Sequence, residues 1–206
     1  MNIRILAFDG ADEIDIAGPY EIFQHAAGLR SNIDVRLVTL ADESSDASEI
    51  TAHHGMRIRT DGLFRDDADL LVVPGGGWLD RSGRGVRREI ERGALPRAIA
   101  ATHGHGATVA GVCTGVMALA ASGILDKKYA TTHRGALDDL RRTTARVVPA
   151  RVVDHGTILT CGGVTSALDL GLWIVRRFFG EELAGNVAGY MEYVASEDVY
   201  VAPQEN

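Results

Sequence analysis

Cysteine is nearly missing from the sequence. Only Cys113 and Cys161 stand among 206 residues, too few for a disulfide framework and without the paired spacing of a zinc site. Both are expected to be free thiols. Basic charge is short as well: 21 Lys and Arg against 28 Asp and Glu leave a formal charge of −7. That balance offers no general attraction to nucleic acid or to an anionic membrane, so the expected partner is a small-molecule substrate. No run approaches the roughly 18 consecutive apolar residues of a membrane span. The opening MNIRILAFDG has neither the basic stretch nor the cleavage site of a signal peptide, and a cytoplasmic protein is expected. Repeats, low-complexity tracts and long linkers are absent, which points to one domain over residues 1–206.

What is present is an ordinary globular composition, 46% hydrophobic and 24% charged, enough to bury a core without disulfides or metals. Four short, β-branched-rich segments are apolar on both faces and read as buried parallel strands: IRILAF (Ile3 to Phe8), DVRLVTL (Asp34 to Leu40), ADLLVVPG (Ala68 to Gly75) and ATVAGV (Ala107 to Val112). Helical patterns separate them. GPYEIFQHAAGL opens with Pro19 in a first-turn position, and GVRREIERGALPRAIAATHG is amphipathic with an interruption at Pro96. Two stretches, between Asp46 and Asp61 around Gly55 and in ARVVPARVVDHGTILTCGG around His155 and Gly156, alternate as antiparallel hairpins added to the sheet. TSALDLGLWIVRRFFG carries Leu168, Leu172, Val175 and Phe179 on one stripe of a late helix. The predicted fold is an α/β sandwich with a mostly parallel central sheet.

In an open α/β sheet, reacting groups gather beyond the carboxyl ends of the strands. Cys113 stands at such an end in TVAGVCTGVMALAAS, and a helix follows it. The helix dipole and unpaired backbone N–H groups there favour thiolate. Gly111 and Gly115 give the form G-x-C-x-G, the cysteine counterpart of a nucleophile elbow, in which small neighbours relieve a crowded turn. The plainer alternative is a small hydrophobe ending a core strand. VVPGGGW ends the preceding strand, and the amides of Gly76 and Thr114 are the natural pair to stabilise developing negative charge. A Gly-rich turn without a ligand is the alternative, and neither phosphate-loop nor dinucleotide spacing is present. Asp15, in ADEIDIAGPYEIF, falls on the same side of the sheet and could serve as acid or base, or simply be solvated.

These elements in this order, with ATTHR (Ala130 to Arg134) and CGGVTSALDLGL (Cys161 to Leu172), resemble the ThiJ/PfpI superfamily over nearly the whole chain. EIDIAGPYEIF, VPGG, GVCTG, ATTH and GGVTSALD are most similar to its isocyanide hydratase branch and to the amidase-like domains of certain transcription regulators. The resemblance implies a flavodoxin-like three-layer sandwich, a homodimer, and no metal or organic cofactor. It places the nucleophile on Cys113, its acidic partner on Asp15 and a hydroxyl neighbour on Thr114. Gly76 and the Thr114 amide match the oxyanion-binding backbone, and Val164 the position that packs beside the cysteine.

Departures narrow the reading. The protease branch has histidine directly after the cysteine where this chain has Thr114, so protease chemistry is not expected. The deglycase branch pairs its cysteine with glutamate, which leaves glyoxalase chemistry as the runner-up. A sensing domain without turnover is a third possibility, although no basic helix pair follows VYVAPQEN. Gly77 and Trp78 after PGG, and Arg134 after TTH, replace the branch's usual residues and are expected to reshape the substrate pocket. His133 is read as support more than catalysis. His53 and His54 fall on opposite faces of the first hairpin, which argues against a joint metal site. His103 and His105 read as a polar helix end, and Cys161 as core.

Overall fold

The computed structural model describes residues 1–40 and 49–203. In chain order its elements are β1 (Asn2–Leu6), α1 (Glu13–Leu29), β2 (Asp34–Val38), β3 (Glu49–Thr51), β4 (Arg57–Arg59), β5 (Leu70–Val73), α2 (Val86–Arg92), α3 (Ala94–Gly104), β6 (Thr108–Gly111), α4 (Val116–Ala121), β7 (Tyr129–Ala130), α5 (Leu137–Arg141), β8 (Arg146–Val147), β9 (Val152–His155), β10 (Ile158–Cys161), α6 (Ser166–Phe179), α7 (Glu181–Tyr190) and β11 (Val199–Val201). Seven strands form the central sheet in the order β11-β9-β10-β6-β5-β1-β2. All neighbours are parallel except β9 and β10. The four strands expected from the sequence are β1, β2, β5 and β6. β5 and β6 are buried at every position, which is what apolar residues on both faces require of a sheet covered on both sides.

Helices α1, α6 and α7 pack together, and α2, α3 and α4 form a second group, so the sandwich has three layers. The α1–α6 contact is close because Gly18 faces Leu168 and Gly171 faces Ile22. Among the described residues no helix is long and apolar enough to cross a membrane.

The structure departs from the sequence reading at element boundaries. Helix α1 begins at Glu13, not near Pro19, because Asp12 caps it by accepting the Ile14 N–H at 3.1 Å. Pro19 is therefore inside the helix, and Asp15 lies in its first turn. The break expected at Pro96 falls at Gly93, whose φ of 75° ends α2. Pro96 then sits in the first turn of α3, where a missing N–H costs nothing. The first expected hairpin is β3–β4, a separate two-stranded unit and not an extension of the central sheet; its part before Glu49 lies outside the described residues. In the second, only β9 and β10 pair as a hairpin. The earlier Arg146–Val147 segment pairs in parallel with β7, and β11, not expected from the sequence, adds to the edge beside β9.

Ile5 has no exposed surface and sits in β1, paired on both sides by β2 and β5. Ile5→Ala is expected to lower the unfolding free energy by about 3 kcal/mol, read as a lower urea midpoint at unchanged slope.

Candidate active site

Cys113 follows β6 in a single 3-10 turn, Cys113–Gly115, before α4. Its φ is 53°, a left-handed conformation that a non-glycine residue adopts only where its surroundings impose it. The glycines on either side explain how the turn closes. A side chain at Gly111 would press on Val116, and one at Gly115 would collide with the Val73 and Pro74 carbonyls. The turn is held from outside as well: the Cys113 N–H donates to the Gly162 carbonyl at 3.1 Å, and its carbonyl accepts from Thr132 Oγ1 at 2.8 Å.

Asp15 has no exposed surface. Its Oδ2 accepts the Gly75 N–H at 2.9 Å, and its Oδ1 is buried with no hydrogen-bond partner. Gly75 is where these groups crowd together, since a Cβ there would lie 2.6 Å from Thr114 Oγ1 and 2.9 Å from Asp15 Oδ2. Burial, then the charge of Asp12, push the Asp15 carboxyl up to about 8, with Gly75 N–H and the Cys113 thiol pulling the other way. Burial, then Asp15, push the Cys113 thiol up to about 12, against the backbone amides of Val164 and Thr114. The sequence reading of a helix-stabilised thiolate is thereby corrected. Cys113 is 5% exposed, and desolvation outweighs the amides. At neutral pH both groups hold their protons.

A pocket of about 150 Å³ opens over the sulfur, lined by Gly76, Gly77, Trp78, Cys113, Thr114, His133 and Val164 together with Asp12, His53, Leu79 and Asp80. Of the residues expected there, Asp15 and Arg134 do not line it: Asp15 is buried, and Arg134 lines a neighbouring hollow. Trp78 forms a fixed wall: its Nε1 donates to Asp139 Oδ2 at 2.9 Å, and the Arg87 guanidinium lies 3.9 Å from its ring centroid. Gly76 and Gly77 have φ of 118° and 68°, and side chains there would strike the Gly10 and Arg84 carbonyls. The Gly76 N–H, expected to be free for an oxyanion, already donates to Thr114 Oγ1 at 3.0 Å. Val164, expected at the start of a helix, precedes α6 in a turn with φ of 41°.

His133 caps the turn that follows it, its Nδ1 accepting the Gly135 N–H at 2.9 Å. Its ring lies against the Gly163 backbone, and burial, then Arg134, lower its pKa. These contacts hold the ring in place. His53 and His54 are not on opposite hairpin faces, because both lie in the turn between β3 and β4, with ring centroids 4.7 Å apart. His53 joins the pocket wall, a contribution the sequence reading missed. His54 turns to Glu13, whose carboxylate takes its N–H at 2.7 Å and meets its Nδ1 at 2.8 Å, and this raises the His54 pKa. Asp12, Glu13 and His54 bring ligand atoms within 4.8 Å of one another, so a cation could be held there, but each carboxylate already serves a cap or a histidine. His103 meets Thr157 and His105 meets Asp66, away from this pocket. Cys161 is fully buried in β10.

A three-layer α/β sandwich with a cysteine on a strained turn beyond its parallel strands, backed by a buried carboxyl, defines the class. The DJ-1/PfpI family model matches residues 1–177, and the chain belongs to that family. It is 30% identical over 195 residues to isonitrile hydratase of Pseudomonas putida, covering 94% of this chain and 78% of that protein. A ThiJ/PfpI family protein from Pseudomonas syringae superposes with a TM-score of 0.75 at 26% identity, over 95% of this chain and 76% of that one. Schizosaccharomyces pombe DJ-1 superposes with a TM-score of 0.79 at 17% identity, over 94% and 100%, a likeness of fold.

A thiol held near 12 predicts slow alkylation. At pH 7 iodoacetamide should modify Cys113 about a thousandfold more slowly than free cysteine, with no inflection in rate below pH 10. Mass spectrometry of the intact chain follows the reaction, and a rapid rate with an inflection below pH 7 would contradict the geometry.

Proposed function

We propose that the protein adds water to the carbon of an organic isocyanide, giving an N-substituted formamide. The observation that carries this reading is Asp15: a carboxyl kept protonated by burial, with one unpartnered oxygen, beside a protonated thiol. An isocyanide carbon needs both a nucleophile and a proton, and the pair holds one of each. Similarity to the Pseudomonas putida isonitrile hydratase supports the same chemistry.

In this mechanism Asp15 gives its proton to the isocyanide carbon as the Cys113 sulfur bonds to it, and the thiol proton passes to Asp15. The product is a thioimidate, R–N=CH–S–Cys113. Water adds across its C=N bond, with Asp15 and the Thr114 hydroxyl orienting it, and the C–S bond then breaks. The formamide leaves and the thiol is restored, so each turnover consumes one water and leaves the carboxyl protonated. Trp78, Gly77, His133 and Val164 shape the space for the substituent. A homodimer belongs to the same proposal.

Formamide release from an aryl isocyanide, followed by chromatography, tests the reading. Cys113→Ala should abolish it, and Asp15→Asn should lower kcat by at least about a hundredfold. Wild-type turnover by Cys113→Ala would end the proposal. The pH profile has a defined sign: an acid works in its protonated form, which Asp15 holds below about 8. The rate should be level below that value and fall as pH rises through it. A rate that climbs through pH 8 would mean that Asp15 acts as a base.

A further inference from the structure

The pocket over Cys113 is bounded on one side by Val164 and His133. Both residues also line a second, larger hollow of about 550 Å³, which runs along the first turn of α6. The two hollows differ in charge. Asp12 and Asp80 stand on the wall of the small one, where they oppose an anion.

The larger hollow is built the other way. Arg134 lines it and is exposed, and its guanidinium makes no hydrogen bond or ion pair with any described residue. Arg151 is fixed on its rim, its Nε donating to Asp169 at 2.5 Å and one guanidinium nitrogen to Thr165 Oγ1 at 3.1 Å. Asp198, the acidic residue on this wall, is already engaged by the Arg151 backbone N–H at 2.9 Å. Two largely buried residues also turn hydroxyls toward the space, Thr131 at 2% and Ser166 at 3% exposure. Neither hydroxyl has a hydrogen-bond partner among the described residues. Both oxygens are open to the hollow, unlike the sealed Asp15 Oδ1, so they are free to bond a ligand there. Ser166 opens the 14-residue helix α6; the first three amides of that helix already bond the carbonyls of Gly163, Val164 and Thr165, so the hydroxyl is what the helix start offers a ligand.

We infer that the substrate of the Cys113 site carries a carboxylate, which sits in the larger hollow against Arg134 and the Ser166 hydroxyl while the reacting carbon enters the small pocket. The inference rests on the isocyanide reading for the reacting end alone. The anion end is set by the hollow itself. Arg134 is then a specificity residue: a guanidinium placed where an acid group of the substrate arrives.

The test compares 4-isocyanobenzoate with its neutral methyl ester in wild type, Arg134→Ala and Ser166→Ala. Wild type should favour the carboxylate by about tenfold in kcat/KM, equivalent to one charge-assisted hydrogen bond. The ratio should fall toward one in Arg134→Ala and part of the way in Ser166→Ala. Because each variant is scored by its own ratio, a general loss of folded enzyme does not mimic the effect. Equal rates for acid and ester in wild type, or a preference that survives Arg134→Ala, would overturn the anion site and leave the hydratase reading intact. Calorimetric binding of 4-formamidobenzoate and its methyl ester supplies a readout free of turnover. If neither isocyanide reacts, the hydratase reading falls. Tighter binding of the acid that depends on Arg134 would then sustain the anion site, and equal or undetectable binding would remove it.

Discussion

Burial of one carboxyl group organises the site. Asp15 gives up all contact with water and receives a single backbone N–H, from Gly75, in return. An ionised carboxylate in that position would be costly, and the group answers by holding its proton to about 8. The effect on Cys113 follows from proximity. Its thiol is also desolvated, and any charge on Asp15 adds to the cost of a thiolate. The pair is therefore a store of two protons beside one sulfur, which suits the proposed addition to a carbon that must gain a proton as it is attacked.

That arrangement depends on backbones coming unusually close. Gly75, Gly76 and Gly77 let the β5–α2 loop press on Thr114, on residues 10–12 and on Arg84. Gly115 lets the Cys113 turn rest on the carbonyls of Val73 and Pro74. Positive φ at Cys113 and Val164 is the strain these contacts sustain, and it points the amides of Val164 and Thr114 at the sulfur. Small residues here are spacing elements: enlarging any of them moves the sulfur relative to the carboxyl.

Much of this is legible in the sequence. Four parallel strands are readable because both faces are apolar, and the elbow because glycines flank the cysteine at G-x-C-x-G. Other features depend on partners that a linear pattern does not name. The start of α1 is set by the Asp12 cap, while Pro19 inside the helix imitates a beginning. β11 is an edge strand with partly exposed residues, too weak in period to stand out from its loop. Arg146–Val147 alternates like the hairpin that follows it, yet its partner is β7. Strand alternation would put His53 and His54 on opposite faces, but both lie in a turn, which does not obey it. The thiolate expectation came from the helix start, visible in sequence, whereas the desolvation that overrides it is not.

The central claim is the protonation state of Asp15, and infrared difference spectroscopy measures it directly. Wild type minus Asp15→Asn at pH 7 should contain the carbonyl stretch of a protonated carboxylic acid, shifted by isotope labelling of aspartate and lost as pH rises through about 8. A carboxylate signature at pH 7, with no acid band appearing until well below pH 5, would contradict the account.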